Sequence, residues 1–104
     1  MKTIMVVDDE LSILNEVKST LENEDINVVA VDNNRKAFEL IDKDTEDNYS
    51  LILIDTSLPE SNIPAFFSMK PSLKKNIDTS NEENFLPKPF TKQQLIEFIK
   101  KKIE

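Results

Sequence analysis

The sequence predicts an α/β fold built on a parallel sheet of about five strands, and two observations carry that prediction. Short apolar runs, Thr3–Val7, Ile26–Val31 and Leu51–Ile54, alternate with stretches whose apolar residues recur at helical spacing. The third run has four aliphatic residues in succession, which suits a strand covered on both faces rather than one with a wet side. A chain of 104 residues is long enough for one core, so residues 1–104 are expected to form a single domain.

Each element has its own signal. Thr3–Val7 is β-branched apart from Met5 and reads as the first strand. Ile13, Leu14, Val17 and Leu21 then mark one face of a helix of about 12 residues. Ile26–Val31 is the second strand. Asn33 or Asn34 can cap a second helix whose apolar face holds Ala37, Phe38 and Ile41. Leu51–Ile54 is the third strand, Ala65–Ser68 the fourth and Phe85–Leu86 a short fifth. The last helix opens with Thr91-Lys92-Gln93-Gln94, a capping-box pattern, and Leu95, Phe98, Ile99 and Ile103 share its inner face.

Glycine is absent. Positions needing a positive φ are therefore expected to fall to asparagine, and Asn23, Asn27, Asn48, Asn62, Asn76 and Asn84 all lie near element ends.

Two segments fit the alternation poorly. Nine residues, 56–64, separate Asp55 from Ala65. A parallel crossover normally takes a dozen or more and includes a helix. Nine extended residues span about 30 Å, so the expected path is a helix-free loop crossing one face of the sheet, which Pro59 and Pro64 favour. The alternative is a hairpin, with the fourth strand antiparallel to the third. In residues 70–84, Leu73 and Ile77 are the large apolar residues among polar ones, which encodes one weak helix or a loop.

Composition narrows the chemistry. With no cysteine there are no disulfides and no thiolate metal sites, and with no histidine the commonest general base and transition-metal ligand are missing. Any bound metal must take oxygen ligands, which points to magnesium or calcium. A net charge of −7 opposes non-specific nucleic-acid binding. No stretch approaches the roughly 20 apolar residues of a membrane span, and the N-terminal apolar run is too short for a signal peptide. A cytoplasmic location is expected.

In an open parallel sheet, ligands gather beyond the carboxyl ends of the strands. The first strand delivers Asp8 and Asp9 there ("MVVDDE"), the third Asp55 ("LILIDTS"), the fourth Ser68 ("AFFSMK"), and the end of the fifth Lys88 ("FLPKPF"). Singly, each has an ordinary explanation: a helix cap for Asp8-Asp9, a turn for Asp55, a solvated side chain for Lys88. Together they place three acids, a hydroxyl and an ammonium on one rim. Carboxylates at 4 Å repel by about 4 kcal/mol per pair at an effective dielectric of 20. A hard divalent cation relieves that repulsion, and a carboxylate held beside it is a plausible phosphoryl acceptor.

This constellation resembles the response-regulator receiver domains of two-component signalling, from "MVVDDE" to "FLPKPFTKQQL". The resemblance implies a flavodoxin-like three-layer sandwich with strand order 2-1-3-4-5. It implies that Asp55 is the phosphoacceptor, charged by a histidine kinase or phosphotransfer protein with Mg2+ as cofactor. Asp9 matches the direct magnesium ligand, Asp8 its neighbour acting largely through water, and the Ser57 backbone carbonyl a further ligand. Lys88 matches the lysine that contacts the phosphoryl group, with a cis bond to Pro89. Ser68 matches the switch hydroxyl, Phe85 the switch aromatic, and Leu58-Pro59 the hydrophobe-proline pair after the acceptor.

The chain also departs from the family pattern. Ser68 follows Asp55 by 13 positions, well short of the usual spacing, so the helix between the third and fourth strands is missing. The helix between the fourth and fifth strands is weakly encoded, and the family's glycines after the acceptor and before the fifth strand are lost. Self-modification at Asp55, without an external product, makes the domain a signalling module rather than an enzyme. Its output is expected through contacts with a downstream protein. Two other functions compete: a degenerate receiver serving as a constitutive docking platform, and a haloacid-dehalogenase-like phosphatase. The phosphatase wants an Asp-x-Asp pair, and Asp55-Thr56-Ser57 lacks the second acid. Phe66 and Phe67 alternate in direction, so the face lacking its helix is expected to show aromatic surface that a partner or a second copy, as a homodimer, covers.

Overall fold

The computed structural model describes residues 2–44, 48–58, 61–70 and 82–103. In chain order they form β1 (Thr3–Val7), α1 (Leu11–Glu22), β2 (Asn27–Val31), α2 (Asn34–Lys43), β3 (Leu51–Ser57), β4 (Pro64–Met69), a 3-10 turn at Glu82–Asn84, β5 (Phe85–Pro87) and α3 (Lys92–Ile103). The five strands make one sheet in the order β2-β1-β3-β4-β5, as the sequence reading expected.

One face of the sheet carries Ile4, Val6, Leu51, Leu53, Phe66 and Leu86 and is buried against Leu14, Val17 and Leu21 of α1 and Leu95 and Ile99 of α3. Phe98 and Ile103 pack against the same cluster, so α3 uses the predicted stripe. Met5, Val7 and Ile52 point to the other face, where Ala37 and Ile41 of α2 cover them. The starts of α2 and α3 are fixed by side chains. Asn33 accepts from the Lys36 amide at 2.8 Å. Thr91 and Gln94 exchange reciprocal bonds of 3.1 and 2.9 Å, completing the capping box.

The connection from β3 to β4 corrects the expected crossover. β3 runs on three residues past the predicted strand, to Ser57, and β4 returns antiparallel to it from Pro64. Leu58 N donates to Ile63 O at 2.9 Å and closes the hairpin. The physical reason is length: residues 56–64 are too few to carry a parallel crossover but ample for a hairpin, which pairs β3 and β4 over Ile52–Ser57 and Pro64–Met69. β5 pairs antiparallel to β4 in turn. Two reversals restore direction, so β1, β2, β3 and β5 all point the same way and β4 alone is inverted.

Three smaller expectations also change. Phe38 is 55% exposed, because the stripe of α2 runs through Ala37, Leu40 and Ile41, the i, i+3, i+4 set, and Phe38 lies about 100° round the helix from Ala37. Phe66 and Phe67 are both buried, so neither supplies the expected aromatic surface. Phe67 packs with Ala65 and Phe85, with Leu58 and Met69 against them. Among the described residues the one positive φ belongs to Asp25, at 61°, and not to an asparagine. Aspartate shares asparagine's tolerance of that region. The weak helix expected within 70–84 falls largely on residues 71–81, which lie outside the described residues together with Leu73, Asn76, Ile77 and Pro59.

Candidate functional site

The parallel pairing of β1 and β3 ends with Val7 opposite Ile54, so the residues that follow, Asp8-Asp9 and Asp55, are neighbours at the carboxyl edge. Asp8, Asp9 and Asp55 each offer a carboxylate oxygen within 4.8 Å of the others. Asp8 is buried while Asp9 is exposed. Asp8 is held on both sides: its amide donates to Val31 O at 3.1 Å, and its Oδ1 accepts from the Glu10 amide at 2.9 Å. Asp8 thus also satisfies the amide of Glu10, two residues on in the turn that leads into α1, without giving up its place in the acidic cluster; α1 itself has no side-chain N-cap.

Lys88 reaches the cluster from the end of β5. Its Nζ donates to Asp8 Oδ2 at 2.7 Å and to Asp55 Oδ1 at 2.6 Å, and its side chain is 12% exposed. Its amide donates to Pro64 O at 2.8 Å, and the Lys88–Pro89 bond is cis, as the resemblance implied. Burial is the largest single influence on the Lys88 ammonium and pulls its pKa down. The hydrogen bonds and charges of Asp55 and Asp8 together outweigh it, so the pKa is raised above the ordinary lysine value.

Ser57 lies two residues beyond Asp55, opposite Pro64. Because the Leu58 amide points across the hairpin to Ile63 O, the alternation along β3 makes the neighbouring Ser57–Pro64 pair of the non-hydrogen-bonded kind. The Ser57 carbonyl therefore points away from β4, toward the side on which β1 ends and Asp8-Asp9 begin. Pro64, with no amide hydrogen, costs the β3–β4 ladder no bond at this position.

Ser68 is where sequence and structure part. The inverted β4 places it opposite Leu53, two rungs and about 7 Å of strand back from Asp55. It is buried, and its Oγ donates to Asn84 O at 3.0 Å, where Lys102 Nζ also meets the Asn84 side chain at 2.8 Å. The Phe85 ring lies on the opposite face of the sheet, 5.0 Å from that of Phe67. Ser68 is thus placed off the rim that holds Asp55, and its side chain and that of Phe85 lie on opposite faces of the sheet.

In exchange β4 brings Phe66 opposite Asp55. Its ring lies 4.3 Å from Lys88 Nζ, a contact the sequence reading missed because it ran β4 the other way. A cleft of about 500 Å³ opens beside these groups, lined by Asp8, Asp55, Lys88, Ile13, Pro64 and Phe90 among others.

Three carboxylates and an ammonium at the carboxyl edge of a 2-1-3-4-5 sheet agree with the family comparison, in which the response regulator receiver domain model matches residues 4–77. The chain belongs to the receiver domain family. That places it among the phosphoacceptor modules of two-component signalling. The matched span takes in Asp8, Asp9 and Asp55; β5, Lys88 and α3 lie beyond it. Comparison with curated proteins and with solved structures finds no match.

The donor set suits the metal that receivers use. Three carboxylate oxygens in one cluster, with the Ser57 carbonyl turned to the same side, are hard ligands appropriate to Mg2+, which tolerates water in its remaining positions. Among the described residues no helix is long and apolar enough to cross a membrane.

Proposed function

We propose that this receiver accepts a phosphoryl group on Asp55 from a phosphohistidine donor, with Mg2+ held by Asp8, Asp9, Asp55 and the Ser57 carbonyl. The observation that carries the reading is Lys88, whose ammonium bridges Asp8 and Asp55 at 2.7 and 2.6 Å beside the acidic cluster.

In the transfer, an Asp55 carboxylate oxygen attacks phosphorus as the bond from phosphorus to the donor nitrogen breaks, and the imidazole leaves with that electron pair. Asp8 fixes one side of the Lys88 ammonium throughout. Lys88 exchanges its contact with the Asp55 carboxylate for one with a phosphoryl oxygen, keeping a charge-assisted bond at each stage. Bound magnesium supplies charge neutralisation of the phosphoryl oxygens and of the three carboxylates. The product adds negative charge at the rim, which changes the partners the domain engages.

The test is intact-mass measurement after incubation with acetyl phosphate and magnesium. One phosphoryl addition on wild type and none on Asp55→Asn is expected. The absence of added mass on wild type, or the same addition on Asp55→Asn, overturns the assignment.

A second reading, a constitutive docking platform, draws support from one observation: the Ser68 hydroxyl is engaged with Asn84 O inside the sheet. Amide spectra with magnesium and beryllofluoride separate the two. Shifts reaching Phe85 and α3 favour a switch, and shifts confined to the Asp55 rim favour the platform.

A further inference from the structure

Inverting β4 changes what that strand offers the site. The residue opposite Asp55 is Phe66, completely buried, in a non-hydrogen-bonded pair where facing side chains approach most closely. On its other side Phe66 pairs with Leu86, two residues before Lys88, which brings Lys88 into diagonal reach on the same face. Phe66 therefore stands between the strand that carries the acceptor and the strand that carries the lysine.

The geometry is more specific than core packing demands. Lys88 Nζ lies over the ring at 4.3 Å from its centroid, inside the roughly 6 Å range of cation–π attraction. The ammonium is largely shielded from water, which strengthens such a contact. Two of its three N–H groups are accounted for by Asp8 and Asp55, and the ring face meets the same charge from a third side. The ring is itself fixed, with Phe90 tilted against it at a centroid distance of 5.9 Å and Leu53 and Leu86 in the same buried cluster.

We propose that Phe66 is a positioning residue for Lys88, its ring face holding the ammonium where it bridges Asp8 and Asp55. β4 then serves the site with a π surface instead of a hydroxyl. The ring contact shares with the Asp8 contact a property that the Asp55 contact lacks. When Asp55 becomes an acyl phosphate, Lys88 must give up the carboxylate oxygen it now holds, whereas Phe66 is the same before and after. The ring keeps the ammonium aimed at the rim while its anionic partner changes. This kinetic role rests on the reading of Asp55 as phosphoacceptor; the geometric claim does not.

Two measurements test it. In the wild-type protein without phosphodonor, ring-current shifts should move the Lys88 ε-methylene protons upfield of those of the exposed lysines; coincidence with the exposed lysines overturns the proposal. The second is a double-mutant cycle on the rate of phosphorylation by acetyl phosphate with magnesium. Phe66→Leu, which keeps apolar volume and removes the π face, should slow wild type by about fivefold. It should slow Lys88→Met not at all, because the residue it acts through is already gone. An equal loss in both backgrounds makes Phe66 a packing residue and overturns the proposal. Where Phe66→Leu does not fold, or where wild type takes up no phosphoryl group and the acceptor reading itself fails, the proton shifts decide alone.

Discussion

Ser68 faces Leu53 across the β3–β4 ladder, and its hydroxyl donates to the Asn84 carbonyl at 3.0 Å instead of approaching Asp55. A buried hydroxyl engaged in this way is a structural group. Ser68→Ala should destabilise the domain by about 1 kcal/mol in denaturant unfolding, for the lost bond and the carbonyl left without it. Phosphorylation by acetyl phosphate should stay within about twofold of wild type, since the hydroxyl is about 7 Å of strand from the Asp55 rung. A tenfold slower reaction would return the hydroxyl to the site.

The inversion of β4 can be checked directly. Non-hydrogen-bonded antiparallel pairs bring facing Hα atoms close together. Cross-strand Hα–Hα nuclear Overhauser contacts are expected for Asp55 with Phe66 and for Leu53 with Ser68. A parallel β4 would show neither.

Magnesium should stabilise the fold through the acidic cluster. Binding to the native state alone adds about 2.7 kcal/mol at a free ion concentration a hundred times Kd, read as a rise in Tm. Asp9→Asn removes one of three mutually repelling carboxylates, and an exposed one. Its Tm without metal should equal or exceed that of wild type, and its response to magnesium should be largely lost. A full magnesium response in Asp9→Asn would remove Asp9 from the ligand set.

Lys88 contributes to the stability of the fold. Lys88→Met leaves the buried Asp8 carboxylate without its ammonium, at a cost of about 2–4 kcal/mol in denaturant unfolding. The folded-state pKa of Lys88 is raised above the ordinary 10.5, so its contribution is fully present below that value and is lost as pH rises through the higher folded-state pKa. The stability difference between wild type and Lys88→Met should therefore be flat from about pH 7 to 9 and shrink only above the ordinary lysine value. A difference that shrinks within the neutral range would contradict the raised value.

Much of the site could be read from local sequence because each residue adjoins a strand with an unambiguous pattern. Thr3–Val7 and Leu51–Ile54 are apolar runs that end on acids, so their register delivers Asp8, Asp9 and Asp55 to one edge once both strands run parallel. Lys88 follows β5, which keeps the direction of β3 whether β4 is parallel to its neighbours or inverted from them. Lys88 therefore reaches the rim whichever way β4 runs. Phe38 departs from expectation for a lesser reason: one apolar residue beside a helical stripe is hard to tell from a member of it.

The alternation of elements, a cap at Asn33 or Asn34 and another at Thr91, the restriction to oxygen ligands and the four charged residues of the rim are all legible in the sequence. Each depends on spacing along a single element or on composition. The direction of β4 was decided by tertiary structure. Ala65, Phe66 and Phe67 are all buried, and a strand buried on both faces carries no pattern that distinguishes one direction from the other. Pairing with β3 through a hairpin settles it, withdrawing Ser68 into the sheet and setting Phe66 opposite Asp55 beneath the Lys88 ammonium.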